Sequence, residues 1–119
     1  MTEILSGRTR IYGIIGCPVE HSFSPLMQNA AFDALKIDAR YLAFLVKPEQ
    51  IQQAIAGIRS LHIHGVNVTV PHKSSVISCL DEISPLAQLI GAVNTIKNVR
   101  GRLIGTNTDV SGFIRSLDT

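Results

Sequence analysis

Lys73 and Asp109 are two charged residues whose positions could support proton transfer. Lys73 follows Pro71 and His72, at the predicted start of a short helix over residues 73–80. A cation there faces the positive end of the helix dipole, which lowers its pKa and favours proton exchange near neutral pH. Both residues also have an ordinary interpretation, since most lysines are only solvated and an aspartate opening a helix is a capping residue.

Further polar side chains stand at the ends of three predicted strands. They are His21, Ser22 and Ser24, then Asn67, Thr69 and His72, then Asn94, Thr95, Thr106, Asn107 and Thr108. Ligands of open α/β sheets bind beyond the carboxyl ends of the strands, so we expect a polar small-molecule site there. Simpler roles exist here too: Ser24 before Pro25 is a predicted helix N-cap, and Asn67 and Thr69 share a strand face that could be an exposed edge.

Short apolar strands alternate with amphipathic helices along the chain. The predicted strands are residues 10–17, 40–46, 66–70, 92–99 and 102–106; the predicted helices are 24–35, 48–58, 73–80, one from Pro85, and 110–117. This order predicts an α/β fold: a three-layer domain with a mostly parallel, mixed sheet, flanked by helices and closed by a hairpin. Residues 1–9 are predicted to be a loose N-terminal tail and residues 10–119 a single domain.

The composition argues against several classes of protein. Among 119 residues the formal net charge is +2 and the basic residues are scattered, so we expect no nucleic-acid partner. No apolar run approaches the roughly 20 residues that span a bilayer, and no signal peptide is evident. Cys17 and Cys79 fit no zinc or CxxC spacing, and we expect free, buried or half-buried thiols in a cytoplasmic protein.

Histidines and glycines could suggest a metal or a nucleotide. The four histidines form no recognised metal-binding motif, although His62 and His64 flank a single residue. We therefore expect no metal. Gly13 and Gly16 near the first strand lack the third glycine and the following helix of a dinucleotide loop. We therefore expect no cofactor-binding residue in this chain.

Four segments are specific enough to indicate a family. They are VEHSFSP at 19–25, NVTVPHK at 67–73, GAVNT at 91–95 and GTNTD at 105–109. In this order and spacing they resemble the N-terminal, substrate-binding domain of shikimate dehydrogenase over residues 10–119. The resemblance implies reversible reduction of 3-dehydroshikimate to shikimate with NADPH, in the aromatic amino-acid pathway.

The resemblance also implies a role for each matching residue. Ser22 and Ser24 would hold the substrate carboxylate. Asn67, Thr69, Asn94 and Asp109 would fix the ring hydroxyls, and Lys73 would be the catalytic residue at the reacting carbonyl, with Asp109 as its partner. An ammonium there stabilises the charge that develops on the ketone oxygen and can deliver a proton.

The family has a second, nucleotide-binding half that is not seen in this sequence, and two alternative functions remain open. The family binds NADP in a separate domain absent from this chain, so we expect the isolated chain to be inactive, to bind shikimate weakly and to form a homodimer through uncovered apolar surface. The alternatives are a quinate/shikimate dehydrogenase, with NAD as its cofactor, and a non-catalytic shikimate-binding module. We expect no membrane partner.

Overall fold

The computed structural model describes residues 5–109, which form a six-stranded mixed sheet with three helices. The strands are β1 Arg10–Gly16, β2 Ala39–Leu45, β3 Gly65–Val68, β4 Glu82–Ile83, β5 Thr95–Val99 and β6 Arg102–Thr106. The α-helices are α1 Ser24–Ala34, α2 Ile51–Ser60 and α3 Pro85–Ile90. The predicted α/β class is confirmed; the predicted helix at 110–117 lies outside the described residues.

The strand order is β2-β1-β3-β5-β6-β4, and only β5 runs against the others. Because β5 is antiparallel, its first residues lie at the same edge as the carboxyl ends of β1, β3 and β6. The β5–β6 hairpin turns at Arg100 and Gly101, whose φ angles are 54° and 89°. Two consecutive positive φ values are those of the tight hairpin turn that matches strand twist.

Helices cover both faces of the sheet. Ile55 and Ile58 of α2 pack with Val66, Val68 and Ile96 in the main core, which also receives Ala87 of α3. On the opposite face, the Phe32 ring of α1 lies 5.7 Å from the Tyr12 ring. Alternate strand residues point to opposite faces, and this places α1 and α2 in separate layers.

The predicted helix over residues 73–80 is wrong. Only a single 3₁₀ turn, Ile77–Cys79, forms there. The Lys73 carbonyl accepts a hydrogen bond from the Val93 N–H at 2.7 Å, and the Ser74 hydroxyl donates to Gly91 O at 3.0 Å. The first contact takes up a carbonyl that a helix would use, and serine side chains favour such tertiary alternatives. Lys73 therefore does not begin a helix, and the predicted effect of a helix dipole on it is wrong.

Two smaller differences concern helix α1 and strand β4. Ser24 is the first residue of α1, not its N-cap; Phe23 takes that position, and the Ser22 hydroxyl accepts the Ser24 N–H at 3.2 Å. Strand β4 was not predicted from the sequence, because it is only two residues long. Asp81 holds it in place, because one carboxylate oxygen accepts from the Leu103 N–H and from Arg59, both at 2.8 Å. Those same bonds lower the pKa of Asp81.

The remaining predicted elements lie within a few residues of the observed ones. Ser84 caps α3 by accepting from the Ala87 N–H at 3.2 Å, and Gly91 ends it with φ 78°. Cys17 and Cys79 are free and half-buried, as expected. Within residues 5–109, no helix is long and apolar enough to cross a membrane.

Candidate functional site

The candidate site lies where the loops after β1, β3 and β6 meet the start of β5. Ser22 is in the loop after β1, Thr69 and Lys73 follow β3, and Asp109 follows β6. Asn94 immediately precedes β5 and reaches the same edge because that strand is antiparallel. One end of the sheet thus collects the predicted residues from four separate segments.

The Lys73 ammonium nitrogen lies 3.0 Å from Asp109 Oδ2. The hydrogen bond from Lys73 is the largest influence on Asp109 and lowers the pKa of its carboxyl; burial acts in the opposite direction, and a hydrogen bond from Asn94 lowers the pKa further. About a third of the Lys73 side chain and more than half of the Asp109 side chain remain exposed. A charged pair in this position can contact a ligand.

The Asn107 side chain holds the turn after β6. Its side-chain oxygen accepts from the Asp109 N–H at 3.0 Å, and its amide donates to Ala92 O at 3.0 Å. The Asp109 carboxylate is directed to Lys73. Asn107 is buried, whereas Asp109 is exposed.

Asn94 joins this pair to the neighbouring strand. The Asn94 side chain is buried, and its oxygen accepts from the Thr108 N–H at 3.0 Å and from the Thr95 hydroxyl at 2.9 Å. The Asn94 amide donates to the Thr108 hydroxyl at 3.0 Å. These bonds tie the backbone beside Asp109 to the start of β5.

Hydrogen bonds continue from Thr95 to the other end of the site. The Asn67 amide donates to the Thr95 hydroxyl at 3.4 Å, and the Tyr41 hydroxyl donates to Asn67 Oδ1 at 2.7 Å. Burial raises the pKa of Tyr41 more than its side-chain hydrogen bond with Ser24 lowers it. We call this set of interacting residues the polar network. Its members are Lys73, Asp109, Asn94, Thr108, Thr95, Asn67, Tyr41, Ser24 and Ser22.

Of the seven predicted site residues, only Thr69 lies outside the polar network. Its N–H donates to Ile15 O at 3.0 Å, and its hydroxyl has no hydrogen bond to a described residue. Gly16 admits this residue, because a Cβ atom at position 16 would collide with the Thr69 methyl group. The Thr69 hydroxyl is thus available to a ligand.

Tyr41 was predicted only as part of a strand, with no role in the site. Its alternation with Ala39 and Ala43 places it on the α1 face but gives no sign of a polar role. A cavity of about 520 Å³ opens beside it, lined by residues that include Tyr12, Gln28, Asn67 and Thr95.

The histidines do not join the site. His64 follows α2 at the amino end of β3, where its ring lies 5.8 Å from Tyr12, and His62 lines a cavity there with Arg59 and Arg100. His21 is exposed beside Glu20. His72 is fully buried and donates through Nε2 to Val46 O at 2.6 Å. In residues 5–109, no group of three or more His, Cys, Asp or Glu side chains is arranged to hold a metal ion.

The described residues do not fit a dinucleotide. Gly13 and Gly16 lie inside β1, where an added Cβ would meet the Phe44 ring and the Thr69 methyl group, so close packing explains both glycines. The segment from Cys17 to Phe23, which joins β1 to α1, contains no glycine. No strand-to-helix connection of that kind can cradle a pyrophosphate here.

An α/β sheet with a polar network along its carboxyl edge defines a small-molecule-binding domain. Residues 14–96 match the shikimate dehydrogenase substrate binding domain, and the chain belongs to that family. The shikimate dehydrogenase (NADP(+)) of Geobacter metallireducens is 55% identical over 113 residues, which are 95% of this chain and 40% of that protein. The chain thus spans about two fifths of the length of such curated relatives.

Solved structures share the fold closely. Shikimate 5-dehydrogenase from Listeria monocytogenes, in complex with shikimate and NAD, has a TM-score of 0.93 and 42% identity, over 99% of this chain and 41% of that one. The ligand-free 5-ketofructose reductase of a Gluconobacter strain has a TM-score of 0.89 and 35% identity, over 95% of this chain and 41% of that one. This architecture therefore occurs in proteins named for different polyhydroxylated substrates.

Proposed function

We propose that this chain forms the substrate side of an NADP-dependent shikimate dehydrogenase, which reversibly reduces 3-dehydroshikimate to shikimate. Family membership and the names of the Geobacter and Listeria relatives support this proposal. The observation that carries it is the polar network, which extends from the Lys73–Asp109 pair to the two serines at the opposite end. A polyhydroxylated acid needs both a carboxylate contact and several hydroxyl contacts.

Ser22 and Ser24 hold the substrate carboxylate in this proposal. The Ser22 hydroxyl accepts from the Ser24 N–H, which leaves its own proton free to donate to a carboxylate oxygen. Both serines are half-buried at the start of α1. The positive end of that helix favours an anion.

Asn67, Thr69, Asn94 and Asp109 fix the ring hydroxyls. Each ring hydroxyl both donates and accepts, so a mixture of amides, a hydroxyl and a carboxylate suits it. A site of this kind discriminates strongly against analogues that lack one hydroxyl, because its own polar groups are then left unpaired.

Lys73 acts at the carbonyl that becomes a hydroxyl. As a hydride reaches the carbonyl carbon, negative charge grows on the oxygen, and the ammonium stabilises that charge and donates a proton to it. Asp109 orients the ammonium through their 3.0 Å hydrogen bond and balances its charge. NADPH supplies the hydride in this reaction; residues 5–109 do not fit that cofactor, and the proposal assigns it no residue of this chain.

Titration of the isotope-labelled chain with shikimate tests this proposal. We expect NMR shifts at the Thr69 and Lys73 amides at millimolar shikimate, and an affinity about 10- to 100-fold lower in Lys73→Met, because a hydrogen bond from a charged donor is lost. Lys36→Met, an exposed site in the loop before β2, is the charge control and should bind as the unchanged chain does. Absence of shifts in the unchanged chain would refute the proposal.

Related ligands separate the competing functions. Quinate that binds as tightly as shikimate would favour a quinate/shikimate dehydrogenase. The methyl ester of shikimate tests the serines, since removal of the negative charge should weaken binding if Ser22 and Ser24 hold a carboxylate. Equal binding of the ester would instead favour a neutral polyol such as a ketose.

A further inference from the structure

Tyr41 lies in the polar network between Asn67 and the serine end of the candidate site. Its side chain is only 4% exposed, between α1 and the sheet. The hydroxyl reaches Ser24 on one side and Asn67 on the other. These are the residues proposed to contact the carboxylate and a ring hydroxyl.

The direction of each hydrogen bond follows from the number of protons. A neutral phenol has one proton, and Tyr41 donates it to Asn67 Oδ1 at 2.7 Å. The Ser24 side chain also acts on the Tyr41 hydroxyl and lowers its pKa, as a donor to the phenol oxygen does. Tyr41 therefore occupies the oxygen of the Asn67 amide.

An asparagine side chain with its oxygen occupied can offer only its NH₂ group. The hydrogen bond from this NH₂ to the Thr95 hydroxyl is long, at 3.4 Å, and the Asn67 side chain is only half-buried. A long bond is weak and readily exchanged for a shorter one. The Asn67 NH₂ can accordingly donate to a ligand oxygen without the loss of a strong hydrogen bond.

We propose that Tyr41 is a positioning residue, which fixes the Asn67 amide so that its NH₂ group donates to a ring hydroxyl of the substrate. This inference rests on the proposed function for the identity of the ligand. Without the Tyr41 hydroxyl, the Asn67 amide can rotate and present its oxygen instead. The ligand then meets an unoriented group, and the orientation must be paid for on binding.

The test is a double-mutant cycle on shikimate affinity, measured by NMR titration. Tyr41→Phe keeps the ring and removes only the hydroxyl, and we expect about tenfold weaker binding, equivalent to about 1.4 kcal/mol. In an Asn67→Ala background, the same substitution should change affinity less than about twofold, because its effect passes through Asn67. If Tyr41 acted only on the fold, the fold-losses of shikimate affinity from the two substitutions would multiply in the double variant.

Tyr12→Phe is the matched control. Tyr12 is the register partner of Tyr41 on β1, lines the same cavity, and forms no hydroxyl hydrogen bond to a described residue. It should bind shikimate as the unchanged chain does. Equal losses in Tyr12→Phe and Tyr41→Phe, unchanged affinity in Tyr41→Phe, or multiplying losses in the cycle would each overturn the inference.

A ligand-free measurement separates this inference from the proposed function. The NMR resonances of the Asn67 side-chain NH₂ should shift and broaden in Tyr41→Phe and stay unchanged in Tyr12→Phe. If the unchanged chain fails to bind shikimate, the proposed function fails, and this readout still decides whether Tyr41 orients Asn67. Unchanged Asn67 resonances in Tyr41→Phe would overturn the inference.

Discussion

The Lys73 ammonium nitrogen lies 3.0 Å from Asp109 Oδ2, and this contact joins the loop after β3 to the loop after β6. The pair combines a donor with a carboxylate whose pKa is held below its ordinary value of 3.8, mainly by the Lys73 hydrogen bond. Both side chains are partly exposed, so solvent screening keeps the contribution of the pair to stability small. Its importance is geometric, since it directs the ammonium.

The pH at which Asp109 titrates should report this contact. The folded-state pKa is lowered, so the pair stabilises the fold above the ordinary carboxyl pKa and this contribution disappears as the pH falls through the lowered value. Lys73→Met should move the Asp109 midpoint upward, as followed by the carboxyl carbon in NMR. Lys36→Met should leave it in place, and an unchanged midpoint in Lys73→Met would contradict the contact.

Gly16→Ala should displace Thr69 and weaken the site. The added methyl group would collide with the Thr69 methyl group and approach Val19 within 3.0 Å, and overpacking of this kind costs about 1–3 kcal/mol. We expect a lower urea midpoint together with weaker shikimate binding. The matched change Gly57→Ala in α2 meets nothing within 4 Å and should stabilise the fold by up to about 1 kcal/mol.

His72→Ala should destabilise the fold by about 3 kcal/mol, although its neighbour is Lys73. The His72 ring is fully buried and donates to Val46 O, so its removal leaves both a cavity and an unpaired carbonyl. Urea unfolding followed by circular dichroism measures the change. His62→Ala, at an exposed turn, should cost less than about 0.5 kcal/mol, and equal losses in the two variants would show that burial of His72 contributes nothing.

The 119-residue chain should not reduce 3-dehydroshikimate alone. The absorbance of NADPH at its nicotinamide band is expected to stay constant when chain and substrate are mixed, because residues 5–109 do not fit a dinucleotide. Turnover at the rate of an ordinary enzyme would contradict this expectation. The gene beyond the Thr119 codon distinguishes the alternatives: a glycine-rich dinucleotide motif there favours a dehydrogenase, and a stop codon favours a shikimate-binding module.

Local sequence determined most of the secondary structure. The apolar run of β1, the helical spacing of Ile51, Ile55 and Ile58, and the Ser84-Pro85 start of α3 agree with the structure, because each depends on neighbouring residues. The segment 73–80 does not, since the Lys73 carbonyl bonds to Val93 and the Ser74 hydroxyl to Gly91, both distant in the sequence. The two-residue β4 likewise depends on Arg59 and Leu103.

The sequence by itself also determined the types of the proposed site residues, because the motif strings carry Ser22, Ser24, Asn67, Thr69, Lys73, Asn94 and Asp109 in a recognisable order. Only the tertiary structure decided how they are connected. The antiparallel direction of β5 brings Asn94 to the edge where β3 and β6 end. Packing of α1 on β2 places Tyr41 between Ser24 and Asn67, a relationship that spans three elements and that no local pattern encodes.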